Sequence, residues 1–149
     1  MKLKDLGERK IIDILSNITA LSYKDDCSFI DNGDSYFLLT TDVIGEKTHM
    51  PKGADPYLIG QFFASINLSD IAAMAGKPVA FMTAYSLSPE TEMDFLESLE
   101  RGMVNVLKEY DTDFIGGDLK EGCDKSLTGI AIGEQTKKLT RKRSDIAEG

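Results

Sequence analysis

Apolar residues near the amino end fall at Leu6, Ile11, Ile14, Leu15, Ile18 and Leu21, with Glu8, Arg9 and Lys10 between the first two. Three- and four-residue spacings gather such positions on one side of a helix, so the pattern predicts an amphipathic helix with its charged face in water. The pattern then changes period. Residues 27–30 and 36–40 are short apolar runs on either side of Asp31-Asn32-Gly33-Asp34. Asn-Gly tolerates the positive φ angles of a tight turn, which predicts a β-hairpin. Residues 42–54 contain Gly45, Pro51 and Gly53 without periodic apolar positions and are expected to form an exposed loop. Asp55-Pro56 then reads as a helix start, because a carboxylate can accept from first-turn N–H groups and proline suits the first helical position. Ile59, Phe62, Phe63 and Ile66 supply its buried face, and the helix is expected to end near Gly76, before Pro78.

Residues 79–87 predict a buried strand, and Ser88-Pro89-Glu90 opens a further helix. Its stripe of Phe95, Leu96, Leu99, Met103, Val106 and Leu107 reads as core rather than as a cofactor surface. Asp113-Phe114-Ile115 predicts a short strand running into Gly116-Gly117, and residues 126–133 predict the last strand. The order helix, strand, strand, helix, strand, helix, strand, strand is neither a strict βαβ alternation nor a run of hairpins. It implies an α+β domain with a mixed or antiparallel sheet and helices on one face. Phe81-Met82-Thr83-Ala84-Tyr85 is apolar on both sides of a strand, so the other face is expected to pack on a second copy of the chain as a homodimer.

A chain of 149 residues, 42% hydrophobic, is long enough for one domain with a real core. With 17 Lys and Arg against 25 Asp and Glu, the net charge is −8, which argues against a nucleic-acid partner. Cys27 and Cys123 stand in no CxxC or Cys/His spacing, so neither a disulfide framework nor a zinc site is indicated and a reducing cytoplasm fits. Met1-Lys2-Leu3-Lys4-Asp5 leads into a charged helix rather than an apolar signal region, and no segment approaches the length of a membrane span. The expectation is a cytoplasmic protein with no membrane partner.

Candidate chemistry lies in four acidic groups at the ends of predicted elements: Asp25-Asp26, Thr40-Thr41-Asp42, Asn67-Leu68-Ser69-Asp70 and Gly116-Gly117-Asp118. Carboxylates drawn from separate segments repel one another unless cations bridge them, and hard oxygen donors suit Mg²⁺ carrying phosphate. Each group alone also has an ordinary reading as a turn, a cap or an exposed helical carboxylate. Gly116-Gly117 permits either a bend or a close backbone approach to phosphate. The spacing of an EF-hand is absent, which argues against a Ca²⁺ sensor. The basic cluster Lys137, Lys138, Arg141, Lys142 and Arg143 reads as a solvated linker or, for one arginine, as a bidentate phosphate grip.

These motifs, with His49 seven positions after Asp42 and Asn67-Leu68-Ser69-Asp70 continuing into Ile71-Ala72-Ala73-Met74, resemble in order and spacing the amino-terminal domain of the thiamine-monophosphate kinase family. That family belongs to the ATP-binding superfamily of aminoimidazole ribonucleotide synthase. The resemblance implies a sheet completed into a barrel by dimerisation, and transfer of the γ-phosphoryl of ATP onto thiamine monophosphate in the presence of several Mg²⁺ ions. It further implies metal contacts from Asp26, Thr40, Thr41, Asp42, Asp70 and Asp118, nucleotide contacts from Gly117, Asp118 and Arg143, and a substrate contact from His49. No side chain is assigned as general acid or base. Residues 1–136 would form the ATP- and Mg²⁺-binding domain and 137–149 a basic linker towards a second α/β domain, so the chain is expected to be half an enzyme, with little turnover alone. Departures from the family pattern fall at Lys24, Met50, Ala75-Gly76 and Leu119. Two other readings are another ATP-dependent member of the superfamily, of the aminoimidazole ribonucleotide synthase or hydrogenase maturation type, and a non-catalytic dimerisation or metal-binding module. Selenophosphate synthetase fits poorly, since residues 1–20 contain no cysteine.

Overall fold

The computed structural model describes residues 2–19 and 25–145; Leu21 of the predicted first helix and Lys24 lie outside them. Strands β1 (Ser28–Asn32), β2 (Ser35–Gly45), β3 (Lys77–Leu87), β4 (Asp113–Glu121) and β5 (Ser126–Thr136) form one sheet in the order β1-β2-β5-β3-β4. Neighbours run antiparallel except β3 and β4, which are parallel. The helices are α1 (Glu8–Thr19), α2 (Glu46–His49), α3 (Pro56–Ala73) and α4 (Met93–Glu109), and α3 and α4 cover one face of the sheet. The fold is therefore α+β with a mixed sheet, as the element order predicts.

The Asn-Gly turn forms where expected: Asn32 pairs with Ser35, Gly33 has φ 68°, and its N–H donates to Asp31 Oδ1 at 3.1 Å. Several elements run longer than their apolar patterns. Strand β2 pairs with β5 from Ser35↔Thr136 to Gly45↔Ser126, so backbone bonding carries it past Asp42 into the segment expected to be loop. The next four residues form α2, leaving only 50–55 irregular. Strand β4 likewise continues through Gly116-Gly117 to Glu121. The φ of 117° at Gly116 accommodates the extra residue where the pairing shifts between Phe81↔Phe114 and Thr83↔Gly117. Helix α4 starts at Met93, a little later than its predicted opening.

Alternation along the strands turns Leu38, Ile44, Phe81, Tyr85, Leu127 and Ala131 towards α3 and α4, where they meet Phe63, Ile71, Leu99 and Met103. Burial of each large side chain contributes roughly 1.5–3 kcal/mol. Glycines set the distances between layers. A Cβ on Gly60 would lie 2.0 Å from Leu99 O, and one on Gly102 1.9 Å from Tyr57 O, so α3 and α4 cross with their backbones in contact. On β5, a Cβ on Gly129 would lie 2.4 Å from Asn67 Nδ2, and one on Gly133 2.4 Å from Ile71 Cγ2. Small residues on this strand thus let α3 settle deep enough to bring Asn67 and Asp70 to the level of β2.

Helix α1 carries the predicted stripe, yet none of its residues is buried, and Ile14, Leu15 and Ile18 remain exposed. The face of the sheet opposite the helices holds Ile30, Phe37 and Val43, all exposed, with Leu39, Met82, Ile130 and Ile132 half-buried. The basic segment after β5 is no free linker. It returns along the hairpin: Lys137 N–H donates to Asp34 O at 3.0 Å, Thr140 is buried, and Arg141 N–H donates to Met74 O at 3.1 Å. The Lys142 ammonium then stands over the Phe29 ring at 4.3 Å. Among the described residues, no helix is long and apolar enough to cross a membrane.

Candidate metal and phosphate site

Helix α3 begins as its sequence predicts, with Pro56 in the first turn and Asp55 Oδ1 accepting from Tyr57 N–H at 2.9 Å. Asn67 and Asp70 lie three residues apart and so share one face of this helix. Asn67 is fully buried; its Nδ2 donates to Phe63 O at 2.9 Å, which orients Oδ1 to accept from Asp42 N–H at 3.2 Å. One turn on, Asp70 Oδ2 accepts from Thr40 Oγ1 at 2.7 Å. Alternation along β2 places Thr40 and Asp42 towards α3 and Thr41 on the open face, where its hydroxyl donates to Gly129 O at 2.9 Å.

The charges of these groups act on one another. Partial burial first, and the charge of Asp70 second, hold the Asp42 carboxyl above the usual carboxylate range, with His49 opposing the shift. Burial pushes the Cys27 thiol up to about 12, and Asp70, Asp26 and Asp25 push in the same direction. That thiol is neutral and unreactive at ordinary pH. Asp26 accepts from both arms of Arg143, at 2.5 Å from Nη2 and 3.3 Å from Nε, while Asp25 Oδ1 accepts from Arg143 N–H at 2.9 Å. Those bonds to Asp26, then the nearby charges of Asp25 and Asp70, raise the Arg143 guanidinium above its ordinary value. A groove of about 480 Å³ opens over this corner, lined by Asp25, Asp26, Thr40, Thr41, Leu39 and Ile130.

His49 ends α2, its Nδ1 2.7 Å from Thr48 Oγ1 and 3.4 Å from the donating N–H of Gly45. The next residue, Met50, lines a separate cavity of about 490 Å³ with Ile59, Phe95 and Lys125. Gly117 and Asp118 stand apart from the acidic corner. Asp42 pairs with Gly129, Gly129 with Thr83, and Thr83 with Gly117, so Gly117 is three strand spacings from Asp42, roughly 14 Å. The side chain of Asp118 is 62% exposed, 3.9 Å from Lys120 Nζ, and on the open face beside Ala84. The structure thus bonds Asp25 and Asp26 to Arg143 and Thr40 to Asp70 beside Asp42, turns Thr41 to the open face, sets His49 near Asp42, and leaves Gly117 and Asp118 on the edge strand. Among the described residues, no three acidic, histidine or cysteine side chains converge as a ready cation cage.

The corner nevertheless suits a divalent cation. Its donors are hard carboxylate and hydroxyl oxygens, and the Asp42–Asp70 repulsion is the kind a bound cation relieves. Two participants stand in the motifs without an assigned contact. Asn67 fixes the backbone of Asp42, and the clue to it is a polar side chain on the apolar face of a helix, one turn after Phe63. Asp25 ties down Arg143, and its clue is only its place beside Asp26.

A model of the AIR synthase related protein, N-terminal domain, matches residues 24–135. Over 137 residues the chain is 35% identical to the thiamine-monophosphate kinase of Methanocaldococcus jannaschii, covering 86% of this chain and 43% of the relative. The solved structure of AaThiL complexed with AMPPCP and TMP superposes with a TM-score of 0.94 at 25% identity, covering 100% of this chain and 48% of that one. Thiamine monophosphate kinase from Aquifex aeolicus gives a TM-score of 0.81 at 26% identity, over 91% of this chain and 44% of that one. The chain spans less than half the length of these relatives. It belongs to the AIR synthase related protein family, whose N-terminal domain it carries.

Proposed function

We propose that this chain is the ATP- and Mg²⁺-handling half of a thiamine-monophosphate kinase, in which the γ-phosphoryl of ATP passes to the phosphate of thiamine monophosphate to give thiamine diphosphate. The observation that carries the reading is the acidic corner, where Thr40 and Asp70 are bonded at 2.7 Å beside Asp42, whose backbone N–H is fixed by Asn67. Its fold match to a relative solved with AMPPCP and TMP supports the choice of nucleotide and acceptor. In this reading Asp26, Thr40, Thr41, Asp42, Asp70 and Asp118 hold the Mg²⁺ ions, Gly117, Asp118 and Arg143 meet the nucleotide, and His49 meets thiamine monophosphate. An acceptor phosphate, with a second pKa of about 6, is already largely anionic near neutral pH, so the residues need not supply a general base. Their task is to bring two anions together and align them. Bound Mg²⁺ would neutralise and orient the attacking and leaving oxygens.

The separation of Asp118 from the corner fits a site completed by a second copy on the open face, with the two sheets closing into a barrel that encloses Thr41 and Asp118. Residues 1–136 act as the cation- and nucleotide-binding domain, and 137–149 as a basic linker towards a second domain. A cytoplasmic location accords with the free cysteines Cys27 and Cys123.

Equilibrium binding of a non-hydrolysable ATP analogue tests the reading directly. Asp70→Asn is expected to weaken binding about tenfold with Mg²⁺ and leave it unchanged in EDTA, the size of one lost charge-assisted contact. Equal affinity with Mg²⁺ would overturn the cation role of Asp70. Fusion to the carboxy-terminal half of the M. jannaschii relative is expected to yield thiamine diphosphate and no aminoimidazole ribonucleotide; the reverse result would move the protein to another branch of the superfamily.

A further inference from the structure

Arg143 terminates a segment that is fastened before it arrives. Lys137, Thr140, Arg141 and Lys142 are held by backbone bonds, burial and the Phe29 ring, so the chain up to Lys142 is fixed against the domain. The Arg143 side chain is itself 62% exposed, whereas that of Asp26 is only 24% exposed. Both oxygens of Asp26 accept from the guanidinium fork, in the positions where a bound cation would have to sit. A carboxylate engaged in this way has one lone pair of each oxygen taken up and cannot chelate a metal ion from the same side. Swinging the exposed guanidinium aside is enough to vacate it, and the fastened segment need not move.

We propose that Arg143 is a built-in counter-cation for Asp26: the guanidinium and a divalent cation occupy that carboxylate in turn, and arrival of the cation frees the guanidinium to grip a phosphate at the mouth of the same groove. The inference rests on the reading of this corner as a divalent-cation site and adds an order to it. Without a cation, Arg143 offsets the charge of Asp26 and eases its repulsion with Asp25. Once a cation takes Asp26, the released fork stands beside the groove lined by Asp25, Asp26, Thr40 and Thr41, with its donors matched to phosphate oxygens. Cation and polyphosphate therefore favour one another through the protein, beyond their own chelation.

Calorimetric titration of the chain with Mg²⁺ alone, at fixed ionic strength and without nucleotide, tests the exchange. Arg143→Gln is expected to bind Mg²⁺ about two- to fivefold more tightly than the unsubstituted chain, the range set by loss of one competing surface pair. The same variant is expected to bind a non-hydrolysable ATP analogue in Mg²⁺ about tenfold more weakly. Arg143→Lys, which keeps the charge and loses the fork, should fall between the two in Mg²⁺ affinity, and it decides the question if thermal melting shows that Arg143→Gln does not fold. Unchanged or weaker Mg²⁺ binding on removing the fork overturns the exchange. If Asp70→Asn abolishes Mg²⁺ binding while Arg143→Gln is silent, the exchange alone fails. If Asp70→Asn is silent as well, the cation-site reading fails with it.

Discussion

Asp42 is kept in the fold against its own preference for water. Partial burial and the charge of Asp70 hold its carboxyl above the usual range, so the folded chain favours the protonated form more than the unfolded chain does. A group of this kind contributes fully to stability below the ordinary carboxylate pKa, and the contribution is lost as pH rises through the raised value. At neutral pH the ionised side chain works against folding. Asp42→Asn is therefore expected to be more stable at pH 7 in EDTA by on the order of 0.5 kcal/mol, the size of a partly exposed charge interaction. The advantage should fade towards about pH 3, where the wild-type carboxyl is protonated in both states. Saturating Mg²⁺ should raise the melting temperature of the wild type more than that of the variant. Parallel melts over pH, with and without Mg²⁺, check all three; lower stability of Asp42→Asn at pH 7 in EDTA would rule out the strain. The carboxylates of this corner were legible as candidates because acidic residues at the ends of predicted elements are visible in any linear reading, although β2 runs on past Asp42 and α3 past Asp70. Asn67 was visible in its motif but its role was not, because that role comes from burial against Gly129, a contact between residues far apart along the chain.

Helix α3 ends on an unusual residue. Ala75 N–H donates to Ala72 O at 2.8 Å and Gly76 N–H to Ile71 O at 2.9 Å, the paired bonds of a Schellman ending, and Ala75 takes the left-handed position with φ 58°. Glycine would normally stand there, since a Cβ in that conformation costs about 1–2 kcal/mol. The glycine stands one place later because a Cβ on Gly76 would lie 2.4 Å from Leu38 Cδ1, so packing against β2 claims it. The reversed Ala75-Gly76 order thus puts strain at 75 to avoid a clash at 76. Ala75→Gly is expected to stabilise the fold by about 1 kcal/mol after the extra freedom of the unfolded chain is allowed for, raising the melting temperature by about 3 °C. No gain on thermal melting would mean that Ala75 relaxes out of the left-handed region. Element identities were legible because their periods differ sharply, as with Asn32-Gly33 between apolar runs. Element ends were less so: β2 continues to Gly45 and β4 to Glu121 because a partner strand bonds their backbones whatever their side chains.

At the scale of the whole molecule, the two faces of the sheet have different fates. One is closed by α3 and α4; the other carries Ile30, Phe37, Leu39, Val43, Met82, Ile130 and Ile132 across four strands with no covering layer among the described residues. A patch of this kind on a chain of net charge −8 is more readily covered by a matching apolar patch than by a charged partner. A two-fold pairing of like faces also satisfies the symmetry of a closed dimer. Such a pairing would bring Thr41 and Asp118, stranded on that face, into an enclosed space, which is what a phosphate site built partly on the edge strand requires. Met82 lies on β3, pairs with Ile130 at the centre of the patch, and is not part of the helix-side core. Met82→Lys should therefore leave the monomer folded while placing two like charges in the middle of the pairing. Sedimentation equilibrium is expected to give a dimer for the wild type and a monomer for the variant, with unchanged far-ultraviolet circular dichroism. If the face also completes the site, nucleotide binding in Mg²⁺ should fall with dimerisation as protein concentration is lowered. A wild type that is monomeric at every concentration yet binds nucleotide fully would show that one copy suffices, and would rule out self-pairing as the layer this face requires.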